Sequence, residues 1–376
     1  MLSAGEVSGD LHGSYLIKAI NQRLPETKFF GIGGNRMQQQ GMELLYHINQ
    51  MNIIGFIEVI KHIPFLRRTF SRLQKELSRR RPDLIILIDY PGFNLRLAKI
   101  AFTLGIPVMY YIIPQIWAWG AGRIKKMVQY VDQAAVILPF EAPMLTSAGM
   151  KAEFVGHPLL DFLKTRFSRE DFFRQVNLNP DRKVLGLLPG SRLSEIHRLL
   201  PDMLKTARKI RQNHPDLQVI IGQTSNLEQS VYTPYLRQNP DFIWVRNLTY
   251  DVMCHADALL IASGTATLEA ALFDTPMAIV YRTSCTTYFI ARLLTQVQHI
   301  GLPNIIAGKE IVPEFIQNKF QTKIVSQYLE QVLYDAMQNQ QAQQKLSTLK
   351  KKMGSPGAAP KAASIACALI KRHKSN

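Results

Sequence analysis

Val184-Leu185-Gly186-Leu187-Leu188-Pro189-Gly190-Ser191-Arg192-Leu193-Ser194-Glu195 runs from an apolar stretch, through a Pro-Gly turn, into a helix-period segment. A short uninterrupted apolar run followed by such a turn reads as a strand buried on both faces, the mark of a parallel sheet covered by helices. Outward from it the pattern repeats. A helical stretch over Ser194–Asn213, interrupted by Pro201, is followed by strands at Val219–Ile221, Ala258–Ile261 and Met277–Val280, with a helix from Thr265. The first half has the same alternation, with strands at Phe29–Gly31, Leu84–Ile88, Val108–Ile112 and Ala134–Leu138. Its amphipathic segments lie at Asp10–Leu24, Ile57–Arg80 and Arg96–Leu104. Repeated β-α alternation in both halves predicts an α/β protein of two doubly wound, Rossmann-like domains. Pro and Gly interrupt the pattern at Gly156-His157-Pro158, which places the boundary there: residues 1–156 and residues 157–353. Gly354-Ser355-Pro356-Gly357 precedes an Ala-rich helix (Ala359–Lys371), and residues 357–373 are expected to complete the first domain. Only Met1-Leu2 precede the first glycine turn, where a doubly wound domain needs its central strand. That reads as a truncated first strand, with the true start upstream or the central slot incomplete.

The 376 residues carry a net charge of +17, which favours an anionic partner. Much of it lies between Lys61 and Arg81, where Glu76 is the sole acid, directly after the apolar residues Ile53, Ile54, Phe56, Ile57 and Ile60. With Phe65, Leu66, Arg67, Arg68 and Arg72 this forms an apolar-basic segment suited to an anionic membrane surface, or else an ordinary solvated helix with a buried stripe. No zinc-finger spacing or RNA-binding motif is present, so nucleic acid is not expected. No apolar run is long enough to span a bilayer. Three scattered cysteines (Cys254, Cys285, Cys367) fit neither a disulfide framework nor a zinc site.

Three turns carry the chemistry. After the Val184–Leu188 run, Gly190 permits a tight turn, Ser191 offers a hydroxyl, Arg192 a bidentate cation, and the first helical amides an anion site; the plain alternative is a βα turn with a surface arginine. Ser263, Gly264 and Thr265 repeat the arrangement, and Glu269, one turn on, suits ribose hydroxyls or merely complements the helix dipole. Asp89 ends a buried strand in Asp89-Tyr90-Pro91-Gly92. There a semi-buried carboxylate serves as a general base, or alternatively caps a turn. Trp117 lies just past another strand end and reads as a stacking platform or as core. His157, beside the boundary, reads as a cleft residue or as a hinge cap. No Asp-x-Asp pair occurs, so neither a metal nor another cofactor is demanded.

The blocks SAGEVSGD (3–10), GIGGNRM (31–37), MNIIGFIEV (51–59), IDYPGFN (88–94), PQIWAW (114–119), LPFE (138–141), FVGHPL (154–159), LLPGSR (187–192), ASGTATLE (262–269), LPNIIAG (302–308) and VPEFIQ (312–317) resemble, in order, the lipid-A-disaccharide synthases. The resemblance implies GT-B architecture with an interdomain cleft and an inverting glycosyltransferase. Its substrates would be UDP-2,3-diacylglucosamine and 2,3-diacylglucosamine 1-phosphate, and its products the lipid A disaccharide 1-phosphate and UDP. It further implies a location on the inner face of the cytoplasmic membrane. Asp89 and Arg192 fall on the family's essential pair. Gly190, Ser191, Ser263, Gly264, Thr265, Glu269 and Asn304 fall on its UDP-binding blocks, and Glu6 and Ser8 on its opening block. Ile113 stands where a small or hydroxyl residue is usual. A homodimer is kept open. Two other classes compete: a UDP-N-acetylglucosamine 2-epimerase-like isomerase, which needs no lipid, and a membrane-associated nucleotide-sugar binding protein without turnover. Product analysis separates the three.

Overall fold

The computed structural model describes residues 1–51, 63–119, 121–224, 226–284 and 298–375, so Ile53, Ile54, Phe56, Ile57, Ile60 and Cys285 lie outside the described residues. The chain forms two compact units, Met1–Asp161 with Met353–Asn376, and Phe162–Lys352.

The first unit is built on seven strands: β1 (Leu2–Ala4), β2 (Phe30–Gly33), β3 (Glu43–His47), β4 (Ile85–Ile88), β5 (Val108–Tyr111), β6 (Gln133–Val136) and β7 (Ala152–Phe154). They pair in the order β3-β2-β1-β4-β5-β6-β7, every neighbour parallel. The helices Ile63–Arg80, Pro91–Thr103 and Ala121–Tyr130 cover one face through Leu73, Leu77, Leu97 and Met127. The helices Val7–Asn21 and Ala358–Ser375 cover the other through Leu16, Ile17, Ala362 and Ala366. Cover on both faces is why all four residues of β4 are buried and apolar, each worth about 1.5–3 kcal/mol in side-chain burial. Of the two readings of the short first strand, the incomplete central slot does not hold. Three residues suffice for β1 to pair with Phe30–Gly33 on one side and Ile85–Ile88 on the other, and the Met1 amine donates to the Leu84 carbonyl (2.8 Å).

The second unit holds β8 (Val184–Leu188), β9 (Gln218–Gln223), β10 (Ile243–Arg246), β11 (Ala258–Ala262), β12 (Met277–Tyr281) and β13 (Glu314–Ile316), ordered β10-β9-β8-β11-β12-β13 and again all parallel. The helix Leu193–Asn213 runs 21 residues straight through Pro201, where an interruption was expected. Its stripe Ile196, Leu199, Leu200, Met203, Leu204, Ala207 and Ile210 is buried, and that packing outweighs one missing backbone bond. Each sheet reverses its strand order once, between β1 and β4 and between β8 and β11. The carboxyl ends flanking such a reversal form the crevice in which doubly wound sheets hold ligands.

Candidate functional site

Four turns stand at those carboxyl ends, two in each unit. In the first, β1 leads into Gly5-Glu6 and β4 into Asp89-Tyr90. Asp89 and Tyr90 both adopt left-handed backbone angles (φ 45° and 52°), a conformation that costs of order 1–3 kcal/mol per non-glycine residue. Buried polar side chains hold them there. The Asn94 amide donates to the carbonyls of Asp89 (2.7 Å), Ile88 (3.1 Å) and Ser3 (3.3 Å), and its oxygen accepts from the Ser3 hydroxyl (2.7 Å). The Tyr110 hydroxyl donates to the Asp89 carbonyl (2.6 Å), and the Asp89 N–H to the Ile112 carbonyl (3.1 Å). Burial, and secondarily the Glu6 carboxylate, push the Asp89 carboxyl up to about 6. The Asp89 backbone is therefore fixed, and its carboxylate is partly desolvated and close to a second acid, which suits it to receive a proton near neutrality. Glu6 and Ser8 are exposed at the start of the Val7–Asn21 helix.

Trp117 is half-buried; its indole N–H donates to Glu141 (3.2 Å), and its ring meets Phe140 edge-on at 5.4 Å. Glu141, which sequence reasoning did not single out, also accepts from the Leu138 N–H (3.0 Å), and burial pushes it up to about 7. His157 is a correction. At 8% exposure it is enclosed, its Nδ1 accepts from the Leu159 N–H (3.2 Å), and its own N–H donates to the Met353 carbonyl (3.2 Å). Burial holds it near 3, a neutral cap at the chain crossing and not a presented reactive group. Of the expected lipid-facing residues, Arg67, Arg68 and Arg72 are exposed, whereas Phe65 and Leu66 are half-buried and pack on the first unit's core.

In the second unit, Gly190, Ser191, Arg192, Ser263, Gly264, Thr265 and Glu269 line one cavity of about 830 Å³, within the range of nucleotide-sized sites. The turns after β8 and β11 supply its floor. Glu269 accepts from the Tyr250 hydroxyl (3.1 Å), and burial raises its carboxyl above the ordinary value. The Arg192 side chain is 80% exposed and lies 3.8 Å from Glu195.

Two expectations about this cavity change. The amides at the helix start were expected to be free for an anion, but those of Ser191 and Arg192, which lead into it, both donate to the Glu195 carboxylate, at 2.9 and 3.2 Å. Gly190 (φ 106°) makes room for this: a Cβ there would lie 2.3 Å from the same carboxylate oxygen. Glu195 is the third residue of the helix, where a carboxylate closes back on the cap and fills the anion position from within. Removing it (Glu195→Ala) is expected to lower stability by about 0.5–2 kcal/mol in urea titrations, with Glu195→Gln less affected. The second correction is Asn304. It is 0% exposed and does not line the cavity; its amide donates to the Val312 carbonyl and Glu314 (both 2.7 Å), and its oxygen accepts from the N–H groups of Ile311 and Val312 (2.8 and 2.9 Å). With all its hydrogen-bonding capacity taken, Asn304 stitches the 300–314 segment together.

The cavity also contains side chains the sequence did not announce: Lys164, Arg166, Asn247, Tyr250 and Asp251. Among the described residues there is no cluster of His, Cys, Asp and Glu able to hold a metal ion.

Comparison with known proteins gives the family. The calicheamicin glycosyltransferase CalG4 has a TM-score of 0.58 at 14% identity, covering 99% of this chain and 97% of that one. A UDP-GlcNAc 2-epimerase from Neisseria meningitidis, solved bound to UDP-GlcNAc, has 0.58 at 13% identity, covering 96% and 97%. At such identities these likenesses establish the fold alone: two parallel-sheet, Rossmann-like domains shared by GT-B glycosyltransferases and epimerases. Sequence decides between the two activities. The lipid-A-disaccharide synthase of Syntrophus aciditrophicus is 42% identical over 99% of this chain and 98% of its own length, and that of Trichlorobacter lovleyi is 41% identical over 99% and 97%. With the family model for lipid-A-disaccharide synthetase matching residues 1–367, the chain belongs to that family and is a glycosyltransferase of lipid A biosynthesis.

Proposed function

We propose that the enzyme transfers 2,3-diacylglucosamine from UDP to the 6-hydroxyl of 2,3-diacylglucosamine 1-phosphate, with Asp89 as the general base. Family membership gives a UDP-sugar and lipid-linked substrates; the acyl pattern, the residue roles and the membrane surface are the finer reading. Asp89 accepts the acceptor hydroxyl's proton as that oxygen bonds to the anomeric carbon and the bond to UDP breaks. Negative charge grows on the departing diphosphate, where a fixed cation such as Arg192 favours the transition state over the ground state. Glu269 is suited to the ribose. The observation that carries the reading is Asp89 itself, held in a left-handed turn beside Glu6 at a switch-point strand end and raised to about 6. For the membrane, support comes from the helix Ile63–Arg80, which exposes Arg67, Arg68, Arg72, Lys75 and Arg79 with Glu76 as its sole acid. No helix among the described residues is long and apolar enough to cross a bilayer.

Mass spectrometry of products from the acylated donor–acceptor pair tests the proposal. Disaccharide 1-phosphate with stoichiometric UDP is expected. A donor recovered unchanged would point to a binding protein. Epimerised UDP-N-acetylglucosamine without disaccharide would point to an isomerase.

A further inference from the structure

The cavity of the second unit has more positive charge at its rim than the Arg192 turn provides, and the surplus comes from a segment with no regular structure. Residues 163–168 connect the helices Leu159–Phe162 and Arg169–Gln175. Their backbone is nevertheless fixed. The N–H groups of Arg166 and Phe167 both donate to one oxygen of Asp251 (2.9 and 2.8 Å), a carboxylate only 2% exposed. The Phe167 carbonyl lies 3.1 Å from His255 Nε2, and the Arg169 guanidinium donates to the His255 carbonyl (2.8 Å). Burying a carboxylate is costly unless it is hydrogen-bonded, and here it is used to pin a loop against the helix Thr249–His255. The side chains of Lys164 and Arg166 remain exposed, and both line the cavity.

The acids of the cavity do not neutralise them. Asp251 serves the loop backbone, Glu195 the amides of Ser191 and Arg192, and Glu269 the Tyr250 hydroxyl. Because Glu195 takes the amides of Ser191 and Arg192, a diphosphate bound here needs further partners in the cavity. The Thr265–Leu272 helix starts at Gly264 without a side-chain cap, and Gly264, Thr265 and Ala266 line the cavity, so its first two amides are available to an anion there.

We infer that Lys164 and Arg166 form a diphosphate subsite for the sugar nucleotide, acting with Arg192 and the Thr265 end of the cavity while Glu195 stays in place. This rests on the UDP-sugar reading of the same cavity. Cations of this kind bind phosphate oxygens by charge-assisted hydrogen bonds, which uridine, having no phosphate, does not offer.

The test compares UDP with uridine on the full chain. For Lys164→Ala/Arg166→Ala, UDP affinity measured by calorimetry is expected to fall about 10- to 100-fold. Uridine affinity, from ligand-observed NMR, should stay within about twofold, and the salt dependence of UDP binding should flatten. Lys164→Arg/Arg166→Lys, which keeps both charges, should retain UDP affinity within about threefold. Equal losses for UDP and uridine would show a structural role, and unchanged UDP affinity would remove the cations from the subsite; either overturns the inference. If the unaltered chain fails to bind UDP at all, the nucleotide reading of the cavity falls instead.

Discussion

Asp89→Asn is expected to lower kcat by about 10²- to 10⁴-fold, the range that general-base catalysis supplies, with UDP affinity unchanged because the cavity proposed for the nucleotide belongs to the second unit. The pH dependence is the sharper readout. The group is held up to about 6, first by burial and then by the Glu6 carboxylate. A base must be ionised to act, so activity should be full above that value and decline as pH falls through about 6. In Asp89→Asn the acid limb at 6 should vanish from whatever activity remains. Glu6→Gln removes the second cause alone, so it should move the limb toward lower pH. An Asp89→Asn enzyme with ordinary rates and the same limb would end the assignment of this residue as base.

Gly5→Ala should be almost as damaging, and through position alone. A Cβ at residue 5 would lie 2.3–2.7 Å from the Cγ and Cδ atoms of the Tyr90 ring. That ring has nowhere to retreat. Its hydroxyl donates to the Met51 carbonyl (2.9 Å), and its face stacks on Phe93 (5.7 Å between centroids), which itself stacks on Phe70 (4.4 Å). Overpacking of this kind costs about 1–3 kcal/mol, and Tyr90 cannot shift without moving the strained residue before it. A displacement of about 1 Å at Asp89 is enough for a rate loss near 10²-fold. The expectation is a lowered thermal midpoint together with a collapsed kcat. Gly92→Ala is the control: nothing lies within 4 Å of its added Cβ, and stability should stay within about 0.5 kcal/mol. A Gly5→Ala enzyme with normal turnover would show that Tyr90 does not position its neighbour.

What could be read in advance follows burial. The strands β4, β5, β8, β11 and β12 are sheathed on both faces and appear in the sequence as continuous apolar runs. The strands that escaped notice were β3, β7, β10 and β13, the four outer edges of the two sheets. Edge strands are covered on one side only. Their residues, as in Ala152–Phe154 and Glu314–Ile316, are largely half-buried and mix polar with apolar side chains, so no run survives to be seen. The site followed a similar rule. Residues at strand ends (Asp89, Ser191, Gly264) announced themselves by their place in the β-α pattern. Carboxylates that work on distant backbone did not. Asp10 accepts from Gly34, Arg36 and Met37, and Asp251 from Arg166 and Phe167, partners 24 to 85 positions away. No local spacing reports such contacts. Glu195 was within reach, since an acid three residues after a helix cap is a capping-box signal, but Arg192 in the cap position disguised it.

The helix Ala358–Ser375 lies against Val7–Asn21, with Gly357 and Ala358 anchored on Asp161 and Arg23 bonded to Ser364. One face of the first unit's sheet is thus closed by two helices, and the bonded residues Arg23 and Ser364 stand 341 positions apart. Before the Ala358–Ser375 helix is made, Val7–Asn21 covers that face alone, and the apolar surface left open is a hazard for aggregation. A chain cut short of residue 358 is therefore expected to unsettle the unit that residues 1–161 build, and not the unit nearer the cut.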